Sequence, residues 1–261
     1  CTVTTTSFGT TTVHAVGPSS TSINSGICMA TSVNQHPPPE DPDRRRVSAF
    51  AELHALSNFS FLEGASHPEE LVEQAASLGY SAIALTDICS FAGLVKAHMA
   101  AKEHGIHLII GAHFDLEEGI RLILLAPTRS AYGQLAGLIT CLKRRSPKGE
   151  YYATLDDFRW GCDECLALWA PNNEDIQTLI EKGRKVQSRF EHLWIALELL
   201  REQSDLDKTA NALTLSTHLD LPIVASNDVR AHIAARQPLQ DVMSAVRLKT
   251  TVAELKADGF G

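Results

Sequence analysis

Residues 51–114 read AELHALSNFSFLEGASHPEELVEQAASLGYSAIALTDICSFAGLVKAHMAAKEHGIHLIIGAHF. Apolar runs at 50–56, 81–85 and 107–114 read as strands, and the stretches between them carry helical spacing. After the first run, Ser66-His67-Pro68-Glu69 is a capping-box pattern with proline near the first helical turn. Leu71, Ala75 and Leu78 then fall on one helical face, predicted as buried, and Gly79 stops the helix. A second helix is predicted over 92–104, ended by Gly105. The runs at 107–114 and 120–126 flank Glu117-Glu118-Gly119, which predicts a hairpin.

The same alternation continues outward. Helices are predicted at about 130–142, 174–182, 205–219 and 238–248, with strands at 165–170, 193–199 and 222–226. Apolar strands joined through helices imply an α/β fold whose mostly parallel strands are covered by helices. No glycine-rich phosphate loop follows the first strand, so a distorted (β/α) barrel fits better than an open nucleotide-binding sheet. In such barrels the chemistry sits at the C-terminal ends of the strands.

Upstream the composition changes. Residues 1–39 hold no Asp, Glu, Lys or Arg and are rich in Ser and Thr, so they lack the apolar mass that offsets ordering entropy. Pro37-Pro38-Pro39-Glu40-Asp41-Pro42-Asp43-Arg44-Arg45-Arg46 reads as a stiff polar linker. The expected division is a disordered leader and linker over 1–46 and one folded domain over 47–261. The chain begins with Cys1, which suggests a fragment or an upstream extension of the reading frame, and Met29 is a candidate start. No long apolar run predicts a membrane span. With 31 acidic against 23 basic side chains, the net charge of −8 disfavours a stand-alone nucleic-acid-binding module. Six cysteines in 261 residues are too sparse for a disulfide scaffold, and reduced thiols point to the cytoplasm.

Four polar residues close or follow apolar strands: His54 in AELH, Asp87 in IALTD, His113 in LIIGAH and Asp228 in IVASND. Singly each is an ordinary turn or capping residue. Converging on one barrel mouth, imidazole and carboxylate form a ligand set for zinc, manganese or iron. Cys162-Asp163-Glu164-Cys165 lacks partners at zinc-finger spacing and reads as two ordinary thiols. Residues 143–148, KRRSPK, are a basic run assigned to a solvated loop, with contact to DNA phosphates as the alternative. Nothing marks Cys89 as a nucleophile.

The quoted stretch, with IVASNDV and QPLQDVMSAVRLKTTVAE downstream, resembles the start of bacterial C-family DNA polymerases, closest to their error-prone (translesion) branch. The resemblance covers roughly 47–258 and identifies a polymerase and histidinol phosphatase (PHP) domain. It implies a distorted α/β barrel and, in the whole protein, a DNA-directed DNA polymerase of replication, DNA repair and damage-induced translesion synthesis. Partners so implied are DNA, deoxynucleotides, the other polymerase domains, the sliding clamp and accessory proteins. The polymerase core with its magnesium ions would lie outside these residues, leaving this stretch inactive alone.

Metal-binding members of that family carry His-x-His, where this chain has His54 and Leu56, and Thr-Asp-His, where it has Thr86, Asp87 and Ile88. Gly-x-Glu becomes Gly111-Ala112-His113, a further histidine aligns with Leu200, and Asp-x-His becomes Asp228-Val229-Arg230. Leucine and isoleucine offer no lone pair, and Arg230 adds a permanent cation. At ~4 Å and an effective dielectric near 20, its repulsion of a divalent ion is on the order of 8 kcal/mol. The expectation is therefore a vestigial site at His54, Asp87, His113 and Asp228, blocked by Arg230, with no catalytic or cofactor-binding residues. Its polar groups would bond one another and Arg230, which should reach Asp87, Asp228 or both. The alternatives are one zinc or manganese held by those four residues, and a PHP-type metal-dependent phosphoesterase or 3′-5′ exonuclease.

Overall fold

Seven strands form one sheet in chain order, from β3 Ala51–Ala55 through β4 Ala82–Leu85, β5 His107–Asp115, β6 Arg121–Ala126, β7 Leu166–Ala170 and β8 Leu193–Glu198 to β9 Ile223–Ser226. The computed structural model describes residues 50–159, 161–200 and 204–257, and two short strands, β1 Thr2–Thr5 and β2 Thr11–His14, paired antiparallel. The remainder of the expected disordered stretch 1–46 lies outside the described residues.

Every neighbouring pair in the sheet is parallel except the two made by β6. The predicted hairpin explains β6: Gly119 adopts φ +67° and its N–H donates to Leu116 O at 2.9 Å, which reverses the chain. The sheet curls until its ends meet. Val229 N donates to His54 O at 2.9 Å and Leu56 N to Val229 O at 2.8 Å, in a parallel bridge of Ala55 with Val229. The expected distorted barrel of mostly parallel strands is what the chain forms.

Helices cover it: α1 Pro68–Ser77, α2 Leu94–His104, α3 Arg129–Arg145, α4 Ile176–Gln187, α5 Asp205–Leu219, α6 Gln237–Leu248 and the short α7 Val252–Ala257. Helix α1 begins one residue later than its motif suggested. His67 is the cap and its N–H donates to Glu70 Oε2 at 2.8 Å, while Ser66 instead bonds His232 Nδ1 at 2.8 Å. Leu71, Val72 and Ala75 are buried, but Leu78 sits at the C-cap and is 55% exposed, because the helix ends before its turn reaches the sheet. The basic run is also redrawn. Lys143, Arg144 and Arg145 form the last turn of α3, where cations suit the helix dipole. There Arg145 pairs with Asp157 and donates to Tyr152 O.

The largest core cluster packs Phe114, Leu122, Leu124, Leu135, Phe158 and Trp169 between sheet and helices. Cys162 and Cys165 are free, buried thiols in that cluster. Their mutual hydrogen bond and then burial push the Cys162 thiol pKa up, which suits the reading of inert thiols.

Candidate functional site

The C-terminal ends of the parallel strands bring His54, His113 and Asp228 together. His54 sits on β3 with no exposed surface. Its Nδ1 lies 2.6 Å from Glu198 Oε1, at the end of β8, and its Nε2 lies 2.8 Å from His113 Nδ1 on β5. His113 Nε2 faces Asp115 Oδ2 at 3.1 Å without hydrogen-bond geometry. Burial works against a charged His54, but the Glu198 carboxylate and then Asp228 outweigh it, so the His54 pKa is raised. Burial lowers the pKa of His113, with partial opposition from Asp115. The opposite directions favour a proton on His54 over one on His113, with Glu198 and Asp228 as the anions beside it.

Asp228 follows β9 in the left-handed region at φ 45°, as does Cys89 after β4. Asp228 Oδ2 accepts from Arg230 Nη2 at 2.9 Å and Nε at 3.3 Å, and Arg121 Nη1 lies 3.9 Å away. Its Oδ1 has no hydrogen bond and faces His54 Nε2 at 3.7 Å. Burial would raise the Asp228 pKa, yet His54, Arg230 and Arg121 together hold it well below the usual carboxylate range. Arg230 also pairs with Glu63, whose other oxygen meets Arg247 Nε of α6 at 3.0 Å. Arg121 bonds Asp115 Oδ1 through Nε at 3.2 Å. The mouth is thus a chain of alternating charge.

Asp87 stands apart. Its Oδ1 accepts from Ser57 N and Ser60 Oγ and its Oδ2 from Ser57 Oγ, each at 2.7 Å. Burial raises its pKa, partly offset by those serines. Among the described residues no bond joins Asp87 to His54, His113, Asp228 or Arg230. The expectation that Arg230 reaches Asp87 or Asp228 is met at Asp228 alone, because the serine donors already occupy Asp87. Leu56, at the second motif-histidine position, is fully buried, and Ile88 packs against the largest core cluster. Leu200 is 44% exposed beside a cavity of about 170 Å³ that Glu198, Arg121, Asn172, Asn211 and Asp228 also line. Gly111 is demanded by packing, since a Cβ there would lie 2.7 Å from Leu124 O.

Sequence reading missed Glu198, Asp115, Arg121, Glu63 and Glu52. Glu198 had the same signal as Asp87, a charge ending an apolar strand. Arg121 opens β6, and because β6 runs backwards its first residue shares the mouth with the last residues of the other strands. Glu52 is buried within β3. Its Oε1 accepts from His54 N at 3.0 Å and its Oε2 from Asn227 Nδ2 at 2.7 Å, and burial raises its pKa. It braces the seam where the barrel closes.

A family model, PHP domain, matches residues 52–254. The chain belongs to the PHP domain family. Its PHP region is 46% identical over 211 residues to a protein named error-prone DNA polymerase from Dechloromonas aromatica, covering 78% of this chain and 20% of that one. A protein of the same name from Methylococcus capsulatus is 49% identical over 210 residues, covering 80% and 20%. The chain thus spans about a fifth of the length of these curated relatives. Among solved structures, an amidohydrolase from Chromobacterium violaceum, described with bound sulfate and no metal, aligns with TM-score 0.57 at 16% identity. That alignment covers 69% of this chain and 87% of the other and speaks to fold alone.

PHP domains typically hold metal ions, and the residues of this one do not fit such a group. Among the described residues no group of three or more His, Cys, Asp or Glu is disposed to hold an ion. The chemistry agrees: His54 Nε2 lies 2.8 Å from His113 Nδ1 and His54 Nδ1 lies 2.6 Å from Glu198, so ligation by His54 would have to break one of these bonds. Asp228 already has two guanidinium partners, and Asp87 has three uncharged donors. No helix of the described residues is long and apolar enough to cross a membrane.

Proposed function

We propose that this PHP domain is a structural, non-hydrolytic part of an error-prone DNA polymerase. The single observation that carries the non-hydrolytic half is the Arg230 clamp on Asp228, backed by Arg121. A buried carboxylate paired with fixed guanidinium groups needs no metal to compensate its charge. The polymerase half is supported by relatives at 46% and 49% identity that bear that name. In the whole protein the reaction is deoxynucleotide addition to a primer, with DNA and nucleotides as partners, in replication and damage-induced translesion synthesis in the cytoplasm. Magnesium, the sliding clamp and accessory proteins belong to the rest of that protein. Alone, this domain is inactive.

A second reading, a PHP-type phosphoesterase or 3′-5′ exonuclease using one zinc or manganese, is favoured by one detail. Asp228 Oδ1 is buried without a hydrogen bond and faces His54 beside the mouth cavity. The test is hydrolysis of a phosphomonoester and of a single-stranded DNA 3′ end, with added manganese or zinc. The expected rate equals that of the chain carrying His54→Ala and Asp87→Ala. A metal-dependent rate abolished by those changes would establish the second reading instead.

A further inference from the structure

Helix α6 is turned inside out. A surface helix normally presents its apolar stripe to the core. Leu239, Val242 and Val246 share one face of α6 by their spacing, and they are 42%, 50% and 58% exposed. The residues it buries are Gln240, Asp241 and Ala245. Asp241 accepts from Gln237 Nε2 at 2.8 Å, while Gln240 Oε1 is buried with no hydrogen bond among the described residues. Arg247 ties the helix to Glu63 in the loop after β3, and in that same loop Phe61 is 83% exposed. Arg247–Glu63 therefore links α6 to the barrel mouth, and apolar surface is left facing outward.

We propose that this face of α6 is where the remaining polymerase polypeptide packs against the domain. The inference rests on the reading that the domain belongs to a polymerase. Lengths name the occupant: the named relatives match over 20% of their length, so about four-fifths of each lies outside the matched region and is available to cover a face of this domain. An exposed apolar stripe on one helix is the kind of surface that a domain interface covers. DNA is a poor occupant, because phosphates pair with Lys and Arg and the stripe carries neither.

The test inserts this chain into the Methylococcus capsulatus polymerase in place of the fifth that it matches. The chimera is compared with one carrying Leu239→Glu, Val242→Glu and Val246→Glu, by primer extension and by trypsin cleavage between the domain and the rest. The triple variant is expected to be cut about tenfold faster, since cleavage tracks the population of undocked domain, and to extend primers less. The same changes in the isolated 261-residue chain should leave its melting temperature unchanged, because glutamate is a good helix former and the face is exposed. Unchanged cleavage in the triple variant would overturn the proposal, as would unfolding of the isolated variant. A dimer of the isolated chain by light scattering, dissolved by Val246→Glu alone, would assign the face to a second copy and overturn it too. An unsubstituted chimera that extends no primer would refute the polymerase reading itself, and the proposal with it.

Discussion

Asp87 and Asp228 end neighbouring regions of one barrel mouth, and the chain treats them in opposite ways. Asp87 is held by two serine hydroxyls and a backbone N–H, all uncharged, and its pKa rises with burial. Asp228 is also buried, yet it sits between Arg230, Arg121 and His54, and its pKa falls. Neutral donors spread around a carboxylate lock a loop in place. Fixed cations beside it settle its charge. What differs is the residue near each carboxylate: Ile88 beside Asp87 packs against the core, whereas Arg230, two residues past Asp228, is its counter-ion.

The comparison can be broken first by removing the carboxylates. Asp228→Asn should destabilise the domain by about 3 kcal/mol, because two partly buried guanidinium groups lose a shared anion, leaving Arg230 with Glu63 and Arg121 with Asp115. Asp87→Asn should cost only about 1 kcal/mol, since the serine hydroxyls can rotate to donate to or accept from an amide. Denaturant unfolding of both variants measures the difference, and equal losses would erase the distinction.

Arg230→Met comes next. The expected loss is about 2 kcal/mol, smaller than for Asp228→Asn, because Arg121 still faces Asp228 and Arg247 still meets Glu63. Unfolding midpoints on the same denaturant scale check the order. A loss larger than that of Asp228→Asn would mean that Glu63, rather than Asp228, is the anion that Arg230 serves.

A finer probe is pH. The folded-state pKa of Asp228 is depressed, so its stabilisation is present above the unfolded value near 3.8 and is lost as pH falls through the folded value. The folded-state pKa of Asp87 is raised, so its contribution is greatest below the unfolded value and is lost as pH rises through the folded one. On acidification from pH 7 the gap between the unmodified chain and Asp228→Asn should shrink, while the gap to Asp87→Asn should widen. Parallel trends would contradict the assignment. The smallest expected effect is Arg247→Ala, under about 1 kcal/mol, as that guanidinium is 39% exposed at the rim.

Much of the barrel was legible because each strand is a compact apolar run bounded by glycine, polar or helical punctuation. Helix ends were less so: Leu78 has the right spacing to be buried but lies where α1 stops, and α7 is too short to show a period. At the site, His54, His113 and Asp228 were legible from their strand-end positions. Glu198 and Asp115 were passed over although they end β8 and β5, and Arg121 was hidden by the reversal of β6. Asp87 shows the opposite failure. Its strand-end position was right, but nothing local in IALTD reveals that Ser57 and Ser60, about thirty residues earlier, would fold onto its oxygens.

The central claim is that guanidinium, and no metal ion, neutralises Asp228. The most direct measurement is the zinc and manganese content of the purified chain after equilibrium dialysis, paired with its melting temperature with and without each ion. The account predicts no stoichiometric metal and no shift in melting temperature, since an ion that bound the folded state would raise it. One ion per chain, raising the melting temperature and lost in Asp228→Asn, would contradict it.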